Sequence, residues 1–386
     1  MQMNNFSKIC MPTIICGRGS LSFVTTLEKK KVAVLGYSDH VRELAEHIFK
    51  DSKTEVLYVA TINHEPLVSD IYDNLGQVAD FQPDMILAVG GGSVMDVAKG
   101  LHLFYENPQM SFDDSLKPFS LPVLGKRAVS IHVPTTSGTG SETSSAAVFI
   151  DSETQVKKLL LSNTLIPHYA VLDPDLTDQL PSTVQTATGL DALCHAIEST
   201  TAKNANLFTK AVATQAALDI LEYLPIAAND SAPVNLRMTA KEKLHMAATM
   251  AGIAITNSCT GIVHSYDHPG PAFGLPHGTV CGIMLSHSME LIGPTEEYAA
   301  IAKRLGYSGD TAQLSRHLIR HIQEFNRRLG IHNNFQDAGV GKDAYFQNVP
   351  VWAEISIPAF ATQMSPADMD IEKGERFYEM CYYGSN

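Results

Sequence analysis

Short apolar runs alternate with amphipathic stretches through the first 180 residues, and this alternation constrains the fold more than any other feature of the chain. Apolar runs at 31–36, 85–89 and 128–133 read as buried strands, and segments with helical periodicity follow the first two. Strands that are apolar on both faces and joined by helices are typical of a parallel sheet covered on both sides. The N-terminal part is therefore predicted to be an α/β domain with a parallel sheet.

Beyond Leu180 and Pro181 the pattern changes to helical periodicity alone. We predict a domain boundary here, with an α/β domain at 1–181 and an all-α domain at 182–386. An apolar stretch at 9–16 is predicted to be the first strand, because it is too short for a signal peptide or a membrane span. The predicted C-terminal helices lie at 187–200, 207–224, 240–256, 277–292 and 311–329.

The composition narrows the classes of function. The 386 residues are 45% hydrophobic, which is enough for a large core, and the formal net charge of −13 disfavours nucleic acid or an anionic membrane as a partner. Six cysteines without a CxxC pair are typical of reduced thiols. We therefore expect a cytoplasmic protein without a nucleic-acid or membrane partner.

Two loops that follow predicted strands have the composition of a phosphate-binding site. Three consecutive glycines at 90–92 lie between a strand and a helix, and residues 134–142 are rich in glycine and hydroxyl groups. Glycine lets a ligand approach the backbone, and the N–H groups at a helix start favour phosphate. Either loop alone would also suit an ordinary turn, but together they favour a dinucleotide.

Asp39 follows the strand predicted at 31–36. An acidic side chain there would accept a hydrogen bond from a ribose hydroxyl and repel a 2′-phosphate, which favours NAD(H) over NADP(H). An isolated surface aspartate is the alternative interpretation.

A carboxylate and several imidazoles have the spacing of a metal site. Asp191 and His195 are four residues apart in a helix-forming sequence, which places both on one helix face. Three further histidines, His264, His268 and His277, lie in a segment rich in glycine and proline. One aspartate with three histidines would hold a divalent cation and leave room for a substrate oxygen, and it suits iron(II) and zinc alike. A helix-capping pair and ordinary buried histidines are the alternatives.

Four ordered motifs carry a resemblance to a known family. The motifs GGGSVMDVAKG, PTTSGTGSET, GLDALCHAIES and GIVHSYDHPGPAFGLPHG lie within a similarity that runs from about residue 9 to residue 290. Together they resemble the iron-containing (group III, metal-dependent) alcohol dehydrogenases, with a further likeness to the sulfoacetaldehyde reductase branch. The resemblance implies a Rossmann-like domain of the dehydroquinate synthase-like kind, a helical C-terminal domain, and a homodimer or larger homo-oligomer.

The resemblance also implies roles for individual residues. The metal, Fe²⁺ or Zn²⁺, would be bound by Asp191, His195, His264 and His277. His268 would be the catalytic histidine near the substrate and the nicotinamide. The residues that would contact NAD(H) are Asp39, Gly91, Gly92, Ser93, Asp96, Thr135, Thr136, Thr139, Ser144 and Lys157.

The implied reaction is hydride transfer between NAD(H) and a small aldehyde or alcohol. Polar residues Asn257, Ser258, Thr260 and Tyr266 suggest a substrate with a polar or anionic tail, such as sulfoacetaldehyde, which would give isethionate. Alternatives are a glycerol dehydrogenase-like enzyme, a dehydroquinate synthase-like lyase, and a sensor that binds metal and nucleotide without turnover.

The sequence departs from the family pattern at several places. The stretch 268–277 is shorter than usual and contains Gly-Pro, and residues 363–367 replace the customary Asn-Pro-Arg. Ala146 and Glu65 stand where asparagines are usual near the cofactor. Substrate choice and cofactor affinity are therefore the properties that the resemblance defines least.

Overall fold

The structure is a computed structural model that describes residues 8–152 and 156–384. The chain forms two compact units, Ile9–Gln179 and the residues from Leu180 onward. The division falls at residues 179–180, against a predicted boundary at 181–182. No helix in the described ranges combines the length and the apolar character needed to cross a bilayer.

A six-stranded parallel sheet forms the first unit, in the order β1-β8-β5-β4-β2-β3, and a separate antiparallel pair is formed by β6 and β7. The strands are β1 (Thr13–Cys16), β2 (Lys31–Gly36), β3 (Glu55–Thr61), β4 (Met85–Gly90), β5 (Val129–Pro134), β6 (Ala146–Ile150), β7 (Lys157–Leu161) and β8 (Tyr169–Leu172).

Helices cover both faces of this sheet. In β4, Met85 and Leu87 belong to one buried cluster, whereas Ile86 and Ala88 belong to another. Successive side chains of a strand point to opposite faces, so an uninterrupted apolar run is required where both faces are covered. The helices of this unit are α1 (Asp39–Phe49), α2 (Val68–Phe81), α3 (Gly92–Glu106) and α4 (Phe112–Ser115), with 3₁₀ turns at Ser20–Leu27, Asn163–Leu165 and Pro174–Leu176.

The described part of the second unit is helical, and the predicted fold class is thereby confirmed. All five helices predicted in this half are present, four of them with different ends. The helices are α5 (Ser182–Thr201), α6 (Leu207–Ala227), α7 (Val234–Thr256), α8 (Ile262–Tyr266), α9 (Pro269–Phe273), α10 (His277–Ile292), α11 (Glu296–Arg304), α12 (Thr311–Arg328), α13 (Lys342–Ser356), α14 (Phe360–Met364) and α15 (Ile371–Tyr383).

Helices α5 and α10 pack at backbone contact. A Cβ atom added at Gly278 would overlap the carbonyl oxygen of Ala187, and one added at Gly282 would lie 2.8 Å from Cδ1 of Leu190. Two glycines spaced four residues apart therefore give α10 a side-chain-free face toward α5. This close approach sets the position of every side chain that the two helices direct toward each other.

Candidate metal and nucleotide sites

The carboxylate of Asp191 lies at the centre of a cluster of imidazoles. Its Oδ1 atom is 3.2 Å from Nε2 of His264, 3.3 Å from Nε2 of His277 and 3.6 Å from Nε2 of His195. Helix α5 supplies the aspartate and His195, α8 supplies His264, and the first residue of α10 is His277. The structure thus brings together all four residues predicted as metal ligands.

The spacing of these atoms fits a divalent cation. Donors about 2.0–2.1 Å from a tetrahedral ion lie about 3.3–3.4 Å from one another. The three distances from Asp191 to the imidazole nitrogens, 3.2, 3.3 and 3.6 Å, bracket that value. Imidazole and carboxylate are donors suited to zinc and iron(II).

Two further carboxylates, neither of them predicted from the sequence, orient the imidazoles. Oε2 of Glu198 lies 2.6 Å from Nδ1 of His264, and Oδ2 of Asp267 lies 3.0 Å from Nδ1 of His277. Each pair makes Nδ1 the protonated nitrogen and leaves the Nε2 lone pair for a metal, an arrangement typical of histidine ligands. The same Glu198 accepts a hydrogen bond from the N–H of Val263 through Oε1, at 2.7 Å.

The carboxyl group of Asp191 is held in its ionised form. Burial opposes ionisation of Asp191, but the imidazoles of His195 and His277 hold the pKa of its carboxyl well below the usual range. The carboxylate is therefore present as an anionic donor at neutral pH, with no need for a cation to displace a proton from it.

A thiol lies next to these donors. Cys281 is buried one helical turn after His277, with Sγ 3.5 Å from Nε2 of that histidine. One donor atom each from Asp191, His264, His277 and Cys281 lie within 4.8 Å of one another. From its sequence context this cysteine is predicted only to be a reduced thiol, although its spacing of four from His277 is the signal that could have identified it.

The predicted catalytic residue, His268, precedes α9 and contacts α13. Its Nε2 atom is 3.1 Å from Oγ of Ser356, which in turn donates a hydrogen bond to the carbonyl oxygen of Trp352 at 2.7 Å. Because the only hydroxyl proton of Ser356 is used in that bond, its oxygen accepts from the histidine. Nε2 is therefore the protonated ring nitrogen in this arrangement.

The two glycine- and hydroxyl-rich loops of the α/β unit pack against each other. They follow β4 and β5, which are neighbouring parallel strands, and the N–H of Thr135 donates to the carbonyl of Gly90 at 3.0 Å. A Cβ atom at Gly92 would lie 2.9 Å from Cγ2 of Thr139. Glycine is needed at this position because the second loop occupies the space that a side chain would fill.

Helix α3 begins without a side-chain cap, since its N-cap residue is Gly91. The first N–H groups of a helix have no partner within the helix, and the helix dipole makes this end favourable for an anion. Ser93 lies in the same first turn, and Thr136 lies beside Gly91, within 3.5 Å of a Cβ atom built there. Predicted cofactor residues of both loops therefore surround one helix start.

Two other predicted cofactor residues have partners inside the protein. The carboxylate of Asp96 accepts from Oγ of Ser141 at 2.7 Å and from the N–H of Val148 at 2.9 Å. The hydroxyls of Ser144 and Ser141 each accept from Nζ of Lys99 at 2.9 Å. Burial lowers the pKa of Lys99 to about 8, against the opposing effect of Asp96. These residues connect α3 to the second loop.

The remaining predicted cofactor residues lie elsewhere in the same unit. Asp39 is the first residue of α1, and its Oδ1 accepts a hydrogen bond from Oγ1 of Thr61 at 3.3 Å. Arg42, one turn later, stacks on the ring of Tyr58 at 4.6 Å. Lys157 is exposed at the start of β7.

Three of the four polar residues that suggested an anionic substrate, Asn257, Ser258 and Tyr266, have side chains with contacts inside the protein. Tyr266 is fully buried, and its ring packs edge-on against Phe377. The Ser258 hydroxyl is buried and donates to the carbonyl of Ala254 at 2.7 Å, and the Asn257 amide donates to that of Ile253 at 2.8 Å. Internal hydrogen bonds thus satisfy the Ser258 and Asn257 groups, whereas the buried Tyr266 hydroxyl has no hydrogen-bond partner among the described residues.

Comparison with known proteins identifies the family. Residues 12–174 match the iron-containing alcohol dehydrogenase family, and residues 185–381 match the C-terminal part of the Fe-containing alcohol dehydrogenase family. The chain therefore belongs to the iron-containing alcohol dehydrogenases. The predictions of a metal-dependent oxidoreductase that uses a nicotinamide cofactor are confirmed at this level.

Individual relatives are similar over almost their full length. The chain is 32% identical to the NADPH-dependent butanol dehydrogenase of Clostridium saccharobutylicum over 381 residues, which cover 96% of this chain and 97% of the relative. It is 33% identical to an alcohol dehydrogenase of Thermococcus barophilus over 388 residues, with the same coverage. The solved structure of an iron-containing alcohol dehydrogenase from Thermococcus thioreducens has a TM-score of 0.88 at 31% identity, covering 97% of this chain and 99% of that one.

Proposed function

We propose that this protein is an NAD(H)-linked alcohol dehydrogenase that reduces small, uncharged aldehydes at a divalent metal. The observation that carries the proposal is the position of Asp191 within 3.6 Å of three imidazole nitrogens, supported by family membership. We assign metal binding to the helical unit and dinucleotide binding to the α/β unit.

Each residue of the metal site has a defined task. A divalent cation, when bound there, polarises the substrate carbonyl and stabilises the negative charge that develops on its oxygen. Asp191, His195, His264 and His277 would hold it, and the carboxylate of Asp191 offsets part of its charge. The carboxylates hydrogen-bonded to Nδ1 of two ligands keep those rings in the metal-binding tautomer.

His268 would supply the proton that the product alcohol needs. Ser356 accepts a hydrogen bond from Nε2 and thereby fixes the orientation of the ring. An imidazole suits this task near neutral pH because its unperturbed pKa is close to 6.5.

NAD(H), when bound, supplies or accepts the hydride. The start of α3 and the loop around Thr135 to Thr139 would bind its pyrophosphate. Asp39 would favour NAD(H) because a 2′-phosphate would meet its negative charge. Arg42 is close enough in sequence to offset this effect, and the relative from Clostridium saccharobutylicum is NADPH-dependent. Both nucleotides therefore need to be compared directly.

The proposed substrate is uncharged because the helical site offers little for an anionic tail. Residues 244–302, which include His264 and His277, contain no lysine or arginine. A sulfonate or carboxylate is bound most effectively by such charged donors. The similarity to a butanol dehydrogenase also supports an uncharged substrate.

The test is NADH oxidation by metal-stripped protein reloaded with Fe²⁺ or Zn²⁺, using C2–C4 aldehydes, butanal and sulfoacetaldehyde among them. We expect turnover that returns only with metal, a higher kcat/KM for butanal than for sulfoacetaldehyde, and a higher kcat/KM with NADH than with NADPH. Asp191→Asn should lose metal and activity together. Metal and NADH binding without turnover of any aldehyde would refute the proposal.

We further propose that the enzyme acts in the cytoplasm as a homodimer or larger homo-oligomer, without nucleic-acid or membrane partners. The acidic net charge of −13 supports the absence of nucleic acid. Sedimentation velocity of the metal-loaded protein measures the oligomeric state, and a monomer at micromolar concentration would contradict this part.

A further inference from the structure

Lys99 is a buried residue of α3 whose side chain binds the second loop. Its Nζ atom donates to the hydroxyl oxygens of Ser141 and Ser144, each at 2.9 Å, and to the carbonyl oxygen of Ala146 at 2.7 Å. The two serines lie on the loop between β5 and β6, and Ala146 is the first residue of β6. A single side chain of α3 therefore holds the far end of the loop that begins at Thr135.

These three acceptors require three N–H groups on Lys99. The hydroxyl proton of Ser141 is donated to Oδ1 of Asp96 at 2.7 Å, and that of Ser144 to the carbonyl oxygen of Ala146 at 3.0 Å. Each hydroxyl oxygen can therefore only accept a hydrogen bond from Lys99. An ammonium group makes all three bonds, whereas a neutral amine has two N–H groups and would leave one bond unmade.

The carboxylates of Asp96 and Glu142 act on Lys99 from α3 and from the second loop. They oppose the effect of burial, which lowers the pKa of Lys99 to about 8, and Oδ1 of Asp96 lies 3.8 Å from Nζ. His132 on β5 is buried, and burial holds its pKa well below the usual value, so this imidazole stays neutral. Strand β4 has no titratable residue, and α2 and β6 place apolar side chains beside Gly100.

We propose that the ammonium group of Lys99 positions the second loop for NAD(H), and that the dinucleotide binds less tightly once this group has lost its proton. This inference rests on the proposed function, because it concerns the same cofactor. The near end of the loop packs against the start of α3, where Thr139 lies beside Gly92. Loss of the proton would release the far end of the loop. It would also remove a positive charge about 10 Å along α3 from the proposed pyrophosphate site.

The experiment is measurement of the Kd for NADH, from the fluorescence of the bound nucleotide, with metal-loaded protein between about pH 6.5 and about pH 9.5. We expect a break near pH 8, above which the Kd rises about tenfold, the effect of one charge at this distance and an effective dielectric constant near 20. Lys99→Met should bind NADH about tenfold more weakly at neutral pH and show no break. Lys50→Met, an exposed change at the end of α1, is the control and should keep the natural profile.

Ser144→Ala tests the same inference with the lysine in place. It removes one acceptor, so the ammonium form loses a bond that the neutral amine would not have made. The break should therefore move to lower pH, by about half a pH unit or more. This variant decides the question if circular dichroism shows that Lys99→Met does not fold.

The outcomes separate this inference from the proposed function. A Kd for NADH without a break in the natural protein, or a break that is unchanged in Lys99→Met or in Ser144→Ala, would overturn the role of Lys99 and leave the dehydrogenase intact. The expected break without turnover of any aldehyde would overturn the proposed function and leave the role of Lys99 standing. A natural protein that does not bind NADH would overturn both.

Discussion

The carboxylate of Glu198 binds both the imidazole of His264 and a backbone N–H group at the start of the same helix. One carboxylate oxygen lies 2.6 Å from Nδ1 of His264, and the other accepts the N–H of Val263 at 2.7 Å. A Cβ atom built at Gly261 would lie 2.8 Å from Oε1 of Glu198. The acid therefore fixes the tautomer, the ring orientation and the chain segment that presents the ring.

Replacing Glu198 with glutamine should weaken metal binding about 10- to 100-fold, because a neutral amide supports the imidazole less strongly than a carboxylate. Competition against a chelating dye measures the affinity. Glu46→Gln, an exposed change on α1, is the control and should have no effect. Equal affinities in Glu198→Gln and the natural protein would show that the acid serves packing alone.

Gly92→Ala should raise the KM for NADH about tenfold or more, because the new Cβ would press on Thr139 at 2.9 Å and displace the second loop. Overpacking of this kind costs about 1–3 kcal/mol of stability. Gly76→Ala is the matched control, since its Cβ meets nothing within 4 Å and an alanine in a helix is more stable by about 0.5–1 kcal/mol. Steady-state kinetics measure the KM for NADH, and urea unfolding measures the change in stability of each variant.

The double change Gly92→Ala with Thr139→Ser tests the cause, because serine lacks the Cγ2 methyl group that the new Cβ would meet. We expect it to restore much of the NADH affinity. No recovery would mean that the glycine serves the ligand directly and not the packing of the loops.

Ser356→Ala should lower kcat roughly tenfold, because Nε2 of His268 loses the acceptor that keeps its proton in place. The pH dependence of kcat should shift as the ring becomes free to exchange tautomers. Metal content should not change, and Ser356→Thr should retain most of the activity. If kcat fell only in proportion to the amount of folded protein and its pH dependence did not change, Ser356 would have a structural role alone.

His245 should make the protein less stable in mild acid. Burial lowers its pKa to about 4, below about 6.5 in the unfolded chain. Between these values the unfolded chain binds the extra proton, so stability falls as the pH falls from about 6.5 to about 4, by about 3 kcal/mol. Urea unfolding of His245→Gln should show a flatter pH dependence, whereas exposed His47→Gln should keep the natural slope.

The sequence predicts elements whose signal is local. Strand β2 occupies the predicted residues 31–36, and α10 has the predicted bounds 277–292, because a continuous apolar run and a clear helical period define them. The hairpin of β6 and β7 was not predicted. Its strands are five residues each, and their pairing depends on residues that the pattern does not connect.

The residues of the candidate site likewise fall into those whose proximity can be predicted from the sequence and those whose proximity cannot. Asp191 and His195 share a helix face, so their proximity could be predicted from spacing alone. Ser356 is 88 residues from His268, and only the tertiary fold brings them together. The inward direction of Tyr266 likewise depends on α15, which supplies Phe377, and a polar side chain in the sequence does not reveal which way it faces.

The contact of α5 with α10 at Gly278 has a consequence for how the site responds to change. The distance between Asp191 and His277 is limited by the contact between the main chains of α5 and α10. A main chain cannot relieve such a contact by changing rotamer, as a side chain can. Substitutions around the cluster can therefore alter its chemistry while its dimensions persist. A single methyl group at residue 278 would act as a wedge and force the donors of one helix away from those of the other.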